Sequence, residues 1–402
     1  MEVRSALLSL LLIVSVSSFL QVPSSQAVPA FARRENAKCQ MCHFRLPELN
    51  EDGHSYIRRG LREERGGMAA HTGMAMGTTD EAKAPVASAV RPLGEALPLE
   101  WRHYLTVMGH QTYEARRNVK AGFHPGEIEG WIGGPLDPHW SGFAILAFDV
   151  EAGGVDVEQA YAQYNTSWSP HFASLRFGQL LPFAVLFNGG GVAMPLSAPV
   201  VLETPSRAQN PWTPATLLRG IEIGVVDLPR WNAYVGAGQP QIDDLVGVSH
   251  TDVYASAEYL IGKKGNAVSV FGYKGKIAAA PGQPSIDYER VALFANAYGP
   301  GMKGVLGLLW GKDRPAGDNS LGTAGWFLLG EVLLAERWAA YARYDYANRD
   351  APVGDAEVTD GPTIGVSCWA QTQVRLTLES QFLKSTGTSR DRSAVAQLMW
   401  AF

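Results

Sequence analysis

A chain of 402 residues that is 46% hydrophobic, 10% aromatic and only 18% charged, with 43 glycines, has the make-up of many Gly- and aromatic-rich strands rather than helices. Its mean hydropathy of −0.06, and the lack of any apolar run of 18 residues beyond the first 20, exclude a bundle of membrane helices. A net charge of −5 gives no basic field for nucleic acid, and three cysteines cannot make a disulfide framework.

What remains is an all-β protein of modest hydropathy. A transmembrane barrel is one such class, because alternating strands cancel in a hydropathy average.

In chain order, the first feature is an export signal. An apolar stretch from Ala6 to Leu20 follows Arg4, and the small residues Ser25 and Ala27 stand before a cut after Ala27. This predicts a secretory signal peptide over 1–27. Its apolar core of about 15 residues falls short of the ~20 needed to span a bilayer.

Next comes Cys39-Gln40-Met41-Cys42-His43. The C-x-x-C-H spacing lets two thiols bond the vinyl-derived carbons of one haem while the adjacent imidazole reaches its iron. It predicts one covalent haem c on Cys39 and Cys42, with His43 as proximal ligand. A zinc half-site would need another Cys or His pair at suitable spacing, and Cys368 is single and distant.

The distal ligand has several candidates. His54 lies shortly after the motif; Met68, His71, Met74 and Met76 lie in a Gly-rich stretch over 66–77. Met108 and His110 are in reserve. A Met ligand would raise the reduction potential and a second His would lower it. The stretch also reads as a plain linker, or as a copper site built from soft-to-borderline ligands. Residues 28–99 are thus expected to form a monohaem cytochrome c segment with a Met/His-rich linker.

Around the motif stand Ala27-Val-Pro29-Ala-Phe31-Ala32-Arg33 and Pro47-x-Leu49-Asn50-x-x-Gly53-x-x-Tyr56. Together these residues resemble the fused outer-membrane monohaem cytochrome–porin family, which includes the ferrous iron oxidases of iron-oxidising bacteria. The resemblance implies a haem segment plugging or adjoining an outer-membrane barrel. It also implies Fe(II) as extracellular donor, a periplasmic electron-accepting cytochrome, and ferrous iron:cytochrome c oxidoreductase activity. The Met/His-rich insert departs from the family pattern.

Over 100–402 the chain alternates between strand-like segments and turns. Strands are expected at 100–113, 125–134, 138–151, 156–168, 172–184, 216–228, 229–239 and 251–261. They continue at 266–277, 287–298, 303–313, 323–334, 337–347, 360–370, 372–384 and 391–402. About sixteen strands, an even number, suit a bacterial outer-membrane barrel in contact with lipid. Val374, Leu376, Leu378 and Phe382 alternate with Arg375, Thr377, Glu379 and Gln381; Trp338, Ala340, Ala342, Tyr344 and Tyr346 alternate with Tyr341, Arg343 and Asp345. A soluble sandwich also alternates. Two further signs favour the barrel: short connections interleave with long external ones such as 185–215, 240–250 and 348–359, and the chain closes on Trp400-Ala401-Phe402.

On the first strand Arg102, Tyr104, Thr106, Met108 and His110 are expected to face the lumen, and Cys368 is expected to be an inert small side chain on a strand. External carboxylates, Asp313, Asp350, Glu357 and Asp360 among them, offer oxygen to hard cations.

A haem on a wall-spanning scaffold implies electron transfer across the outer membrane. The competing classes are a porin or transport channel with a haem-bearing plug or redox sensor, the same conduit running outward to an extracellular acceptor, and a soluble periplasmic β-protein with a haem tag. No Ser-His-Asp set, phosphate loop or zinc-protease motif is present.

Overall fold

The computed structural model describes residues 30–35, 39–45, 48–62, 104–116, 121–149, 153–168, 171–189, 193–203, 210–228, 230–242, 250–262, 265–277, 285–317, 319–350, 356–371, 374–387 and 391–401. The predicted signal peptide, Met68, His71, Met74, Met76, Arg102 and Phe402 lie outside these residues.

A short N-terminal segment comes first. It holds α1 (Ala30–Glu35), α2 (Cys39–Cys42), β1 (His43–Arg45), β2 (Glu48–Leu49) and α3 (Glu51–Arg58).

Then follow β3 (Leu105–Arg116), β4 (Gly122–Pro135), β5 (Trp140–Asp149), β6 (Gly154–Trp168), β7 (His171–Leu180), β8 (Leu218–Leu228), β9 (Trp231–Pro240) and β10 (Asp252–Ile261). They continue as β11 (Asn266–Ile277), β12 (Ile286–Gly299), β13 (Met302–Pro315), β14 (Leu321–Ala335), β15 (Trp338–Arg349), β16 (Glu357–Gln371), β17 (Val374–Gln381), β18 (Lys384–Ser385) and β19 (Ser393–Ala401). Sixteen of these form one closed antiparallel barrel, with β19 pairing back onto β3. The two-residue β18 rejoins β16 after a break at Phe382–Leu383. There Pro362 of β16 has no N–H to give, so the ladder opens. Phe382 therefore lies just past β17 rather than within its alternating run.

The alternation sorts side chains as a membrane barrel requires. Inward positions are polar and enclosed: Arg176, Glu222, Asp252, Glu258, Arg290, Lys303, Asp313, Arg343, Asp345, Arg375 and Glu379 are all buried. Outward positions are apolar and bare: Ile223 is 50% exposed, Val291 50%, Leu328 54% and Leu378 44%. A soluble sandwich places these groups the other way round, because a continuous apolar exterior is unfavourable in water. Cys368 pairs with Leu376 and Trp338 on the apolar face, as expected of a small strand residue.

The connections keep the predicted rhythm. One end, which also holds the start of β3 and the end of β19, joins its strands through connections of a few residues, such as Pro300–Gly301 between β12 and β13. Gly301 turns there with φ +69°, a conformation that penalises other residues.

One long connection departs from expectation. The described residues of 181–217 do not project outward as an external loop but fold back into the barrel with α4 (Phe183–Asn188) and α5 (Val200–Glu203). The reason is their composition. Phe183, Val185, Phe187, Met194, Leu202 and Trp212 bury against the inward aromatics Tyr234, Tyr254, Phe271, Tyr288, Phe294 and Phe327. Polar atoms then pin the loop to the opposite wall: Asn188 to Asn296, Asn210 to Asp313, and Val200 N–H to Asp345. Asp313 is accordingly no external carboxylate. It is buried in the lumen, 2.9 Å from Arg290.

Candidate functional site

The C-x-x-C-H motif begins in α2 and ends in β1, where His43 pairs with Leu49 of β2. Two groups lock this unit to α3. Asn50 caps α3, its side-chain oxygen accepting from Gly53 N–H at 3.0 Å. The same residue clamps the motif: its backbone N–H donates to Cys42 O and its Nδ2 to Met41 O, both at 3.0 Å.

Gly53 lets the two helices touch. A Cβ there would stand 2.1 Å from Cys42 O, a contact no side chain survives. Gly53→Ala is therefore expected to displace the motif from α3, read as tryptic cleavage after Arg45 several-fold faster than in the wild type.

Tyr56 completes the set. Its hydroxyl donates to Glu35 at 2.9 Å and accepts from Arg34, whose guanidinium also bonds Leu61 O at 2.9 Å and Gly133 O at 3.0 Å. Phe31 packs edge-on against the Tyr56 ring. Asn50 and Gly53 thus contact the motif, and Tyr56 with Phe31 ties α3 to α1.

His54 is the one distal candidate of the N-terminal segment among the described residues. It is 5% exposed and stacks on Phe187 of the inner loop with ring centroids 4.3 Å apart. Its Nε2 has no hydrogen-bond partner. Burial first, then the charges of Arg58 and Lys303, hold its pKa well below the ordinary imidazole range. A neutral ring with a buried, unpartnered nitrogen is the protonation state a metal ligand needs. Of the reserve candidates, Met108 and His110 both lie on β3. His110 pairs with Met399 and Glu127 on the barrel wall, and Tyr104 lies against the Arg34 guanidinium.

The segment meets the inner wall at the tight-turn end. Ala30 N–H donates to Thr106 Oγ1 at 2.8 Å, Arg58 pairs with Glu258, and Lys303 donates to both Glu48 and the Ala193 carbonyl. Gln163 Nε2 reaches Arg58 O at 2.7 Å, and Arg45 stacks over Trp369 with 5.0 Å between guanidinium and ring. Arg58 also lies over the Phe187 ring, so segment and inner loop support one another. Glu48, Arg58, Glu258 and Lys303 were not predicted as partners. Their only signal was a charge at an inward strand position or beside the motif.

Neither a protein-family model nor a curated protein sequence matches the chain. Solved structures do match, by shape. A loop-deletion mutant of OmpT, an outer membrane protein of Vibrio cholerae, superposes with a TM-score of 0.58 at 10% identity, covering 74% of this chain and 98% of that one. The anion-selective porin from Comamonas acidovorans gives 0.58 at 13% identity over 74% and 98%. The outer membrane channel DcaP of Acinetobacter baumannii gives 0.55 at 11% over 74% and 96%. At these identities the likeness is one of fold: the chain has the closed sixteen-stranded, porin-like barrel of outer-membrane proteins.

Proposed function

We propose that this chain is an outer-membrane electron conduit, a barrel whose N-terminal segment carries one haem c within the lumen at the tight-turn, periplasmic end. The observation that carries the reading is the contact set of that segment: a C-x-x-C-H unit clamped by Asn50 and Gly53 and tied to the inner wall through Glu48–Lys303 and Arg58–Glu258.

The residues fit the group. Cys39 and Cys42 stand at i, i+3 on one helical turn with His43 next in sequence, and His54 keeps a buried imidazole nitrogen without a partner. When bound, haem c supplies a one-electron iron couple. Cys39 and Cys42 would hold it covalently, His43 would be its proximal ligand, and His54 the described candidate for the distal position. Met68, His71, Met74 and Met76 compete for that role from outside the described residues. Asn50 and Gly53 fix the motif against α3, and Phe187 orients the His54 ring.

By the family resemblance, the external donor is Fe(II), the acceptor is a periplasmic cytochrome, and the activity is that of a ferrous iron:cytochrome c oxidoreductase. The same parts would serve an outward flow to an extracellular acceptor. Expression with a c-type haem maturation system is expected to give protein that stains for covalent haem and loses the stain in Cys39→Ala/Cys42→Ala. Fe(II) is then expected to reduce the purified, oxidised protein. Wild-type protein without covalent haem sinks the proposal, and haem that Fe(II) leaves oxidised at every accessible pH sinks the iron donor.

A second reading, a diffusion channel with a haem-bearing plug, is favoured by one observation. The inward side chains of His110, Glu127 and His124 stay 25%, 36% and 61% exposed, so this sector of the lumen is wet. Conductance of the haem-loaded protein in planar bilayers separates the two: sustained ion flow supports the channel, a closed barrel the conduit.

A further inference from the structure

The wet sector of the lumen holds a second group of metal-ligand residues, none of them part of the C-x-x-C-H motif. His110 of β3 and Glu127 of β4 are direct cross-strand partners, and Glu129 lies two residues along the same face of β4. One ligand atom from each of the three lies within 4.8 Å of the others. His110 Nε2 is 3.6 Å from a Glu127 oxygen. Glu158 of β6 adds a further carboxyl near enough to interact electrostatically with Glu129 and Glu127.

Glu129 carries the strongest argument. It is 7% exposed and receives one hydrogen bond, from Trp131 Nε1; among the described residues no Lys or Arg pairs with it. A carboxylate that is nine-tenths buried, close to an imidazole and a second carboxyl, is unfavourable without a counter-charge. Arg375, the guanidinium whose charge reaches His110, instead directs its Nη2 to Gln397 and to the Met399 sulfur.

We propose that His110, Glu127 and Glu129, with Glu158 beside them, form a lumenal binding site for a divalent first-row transition-metal ion such as Mn(II) or Fe(II). The imidazole selects against Mg(II) and Ca(II), which prefer all-oxygen shells, and the absence of sulfur ligands selects against Cu(I). The partial exposure of His110 and Glu127 gives the ion a water-filled approach. The site needs neither the haem nor electron flow; under the conduit reading it would be where a metal donor is held inside the barrel.

The test uses Mn(II), followed by electron paramagnetic resonance with the purified full-length protein in detergent, haem-loaded or not. Saturable binding of a single ion per chain is expected, with Zn(II) competing and Mg(II) not. His110→Gln and the near-isosteric Glu129→Gln are each expected to weaken binding about tenfold or more. Asp391→Asn, which removes an exposed carboxylate paired with Arg116, is expected to leave it unchanged. Retained heat-modifiable migration on gels reports an intact barrel in each variant. Non-saturable binding overturns the proposal, as does equal affinity in all variants or equal competition by Mg(II). Because Mn(II) binding is read without redox chemistry, its failure leaves the conduit reading standing, and loss of covalent haem leaves this one standing.

Discussion

Lys303→Met is expected to free the N-terminal segment from the barrel wall while leaving the barrel closed. Lys303 and Glu48 are each 1% exposed, and the ammonium donates to the Glu48 carboxylate and to Ala193 O of the inner loop. Removing the cation takes from Glu48 its ion-pair partner in the barrel wall. Breaking a buried ion pair by removing one partner costs about 3–5 kcal/mol. A docked segment of so few elements relieves that cost most readily by leaving. Trypsin should then cut at Arg58, Arg59 or Arg62, which the wild type protects through Glu258, Gln163 and the 137–140 turn. The double variant Lys303→Met/Glu48→Gln should regain protection, since neither partner then carries a charge. Continued protection in Lys303→Met alone would show that the ion pair does not hold the segment.

Arg176→Met is expected to destabilise the barrel together with its inner loop. Arg176 is fully buried and Glu222 is 1% exposed. The guanidinium gives Nε and Nη2 to Glu222 Oε1, gives Nη2 to Leu181 O at 3.1 Å, and lies 3.5 Å over the Phe183 ring. Glu222 in turn accepts from Tyr254 Oη at 2.8 Å. One side chain therefore neutralises a buried carboxylate and holds the start of α4. Its loss should lower unfolding stability by about 3–5 kcal/mol, read as a drop in the urea midpoint of protein refolded into lipid vesicles. Arg176→Lys should recover only part, because an ammonium cannot make the two-pronged contact and stack at once. An unchanged midpoint in Arg176→Met would refute this account.

Much of the barrel was legible in the sequence. The strand expected at 266–277 is β11 residue for residue, and those expected at 251–261, 303–313 and 337–347 end within two residues of β10, β13 and β15. A strand's two faces are written at every second residue, so Val374–Leu378 and Trp338–Tyr346 disclosed which side meets lipid without any knowledge of partners. The C-x-x-C-H motif was legible for the same reason: its spacing is local.

The inner loop was misjudged because its length matches that of an external loop. Its apolar residues could be read as inward only once Tyr234, Tyr254 and Phe327 were known to line a common interior. Asp313 was misjudged likewise, since its position near a strand end gave no hint of Arg290 across the β12–β13 pair.

The sequence by itself determined the all-β class, the sixteen strands, their two faces and the C-x-x-C-H spacing, because each is encoded at separations of a few residues. Only the tertiary structure decided what lies inside the barrel. Glu48 meets Lys303 from 255 residues away, Arg58 meets Glu258 from 200, and Asn210 meets Asp313 from 103. These contacts exist because β19 closes on β3 and brings distant walls around one lumen. No local pattern in the chain encodes which residues that closure brings face to face.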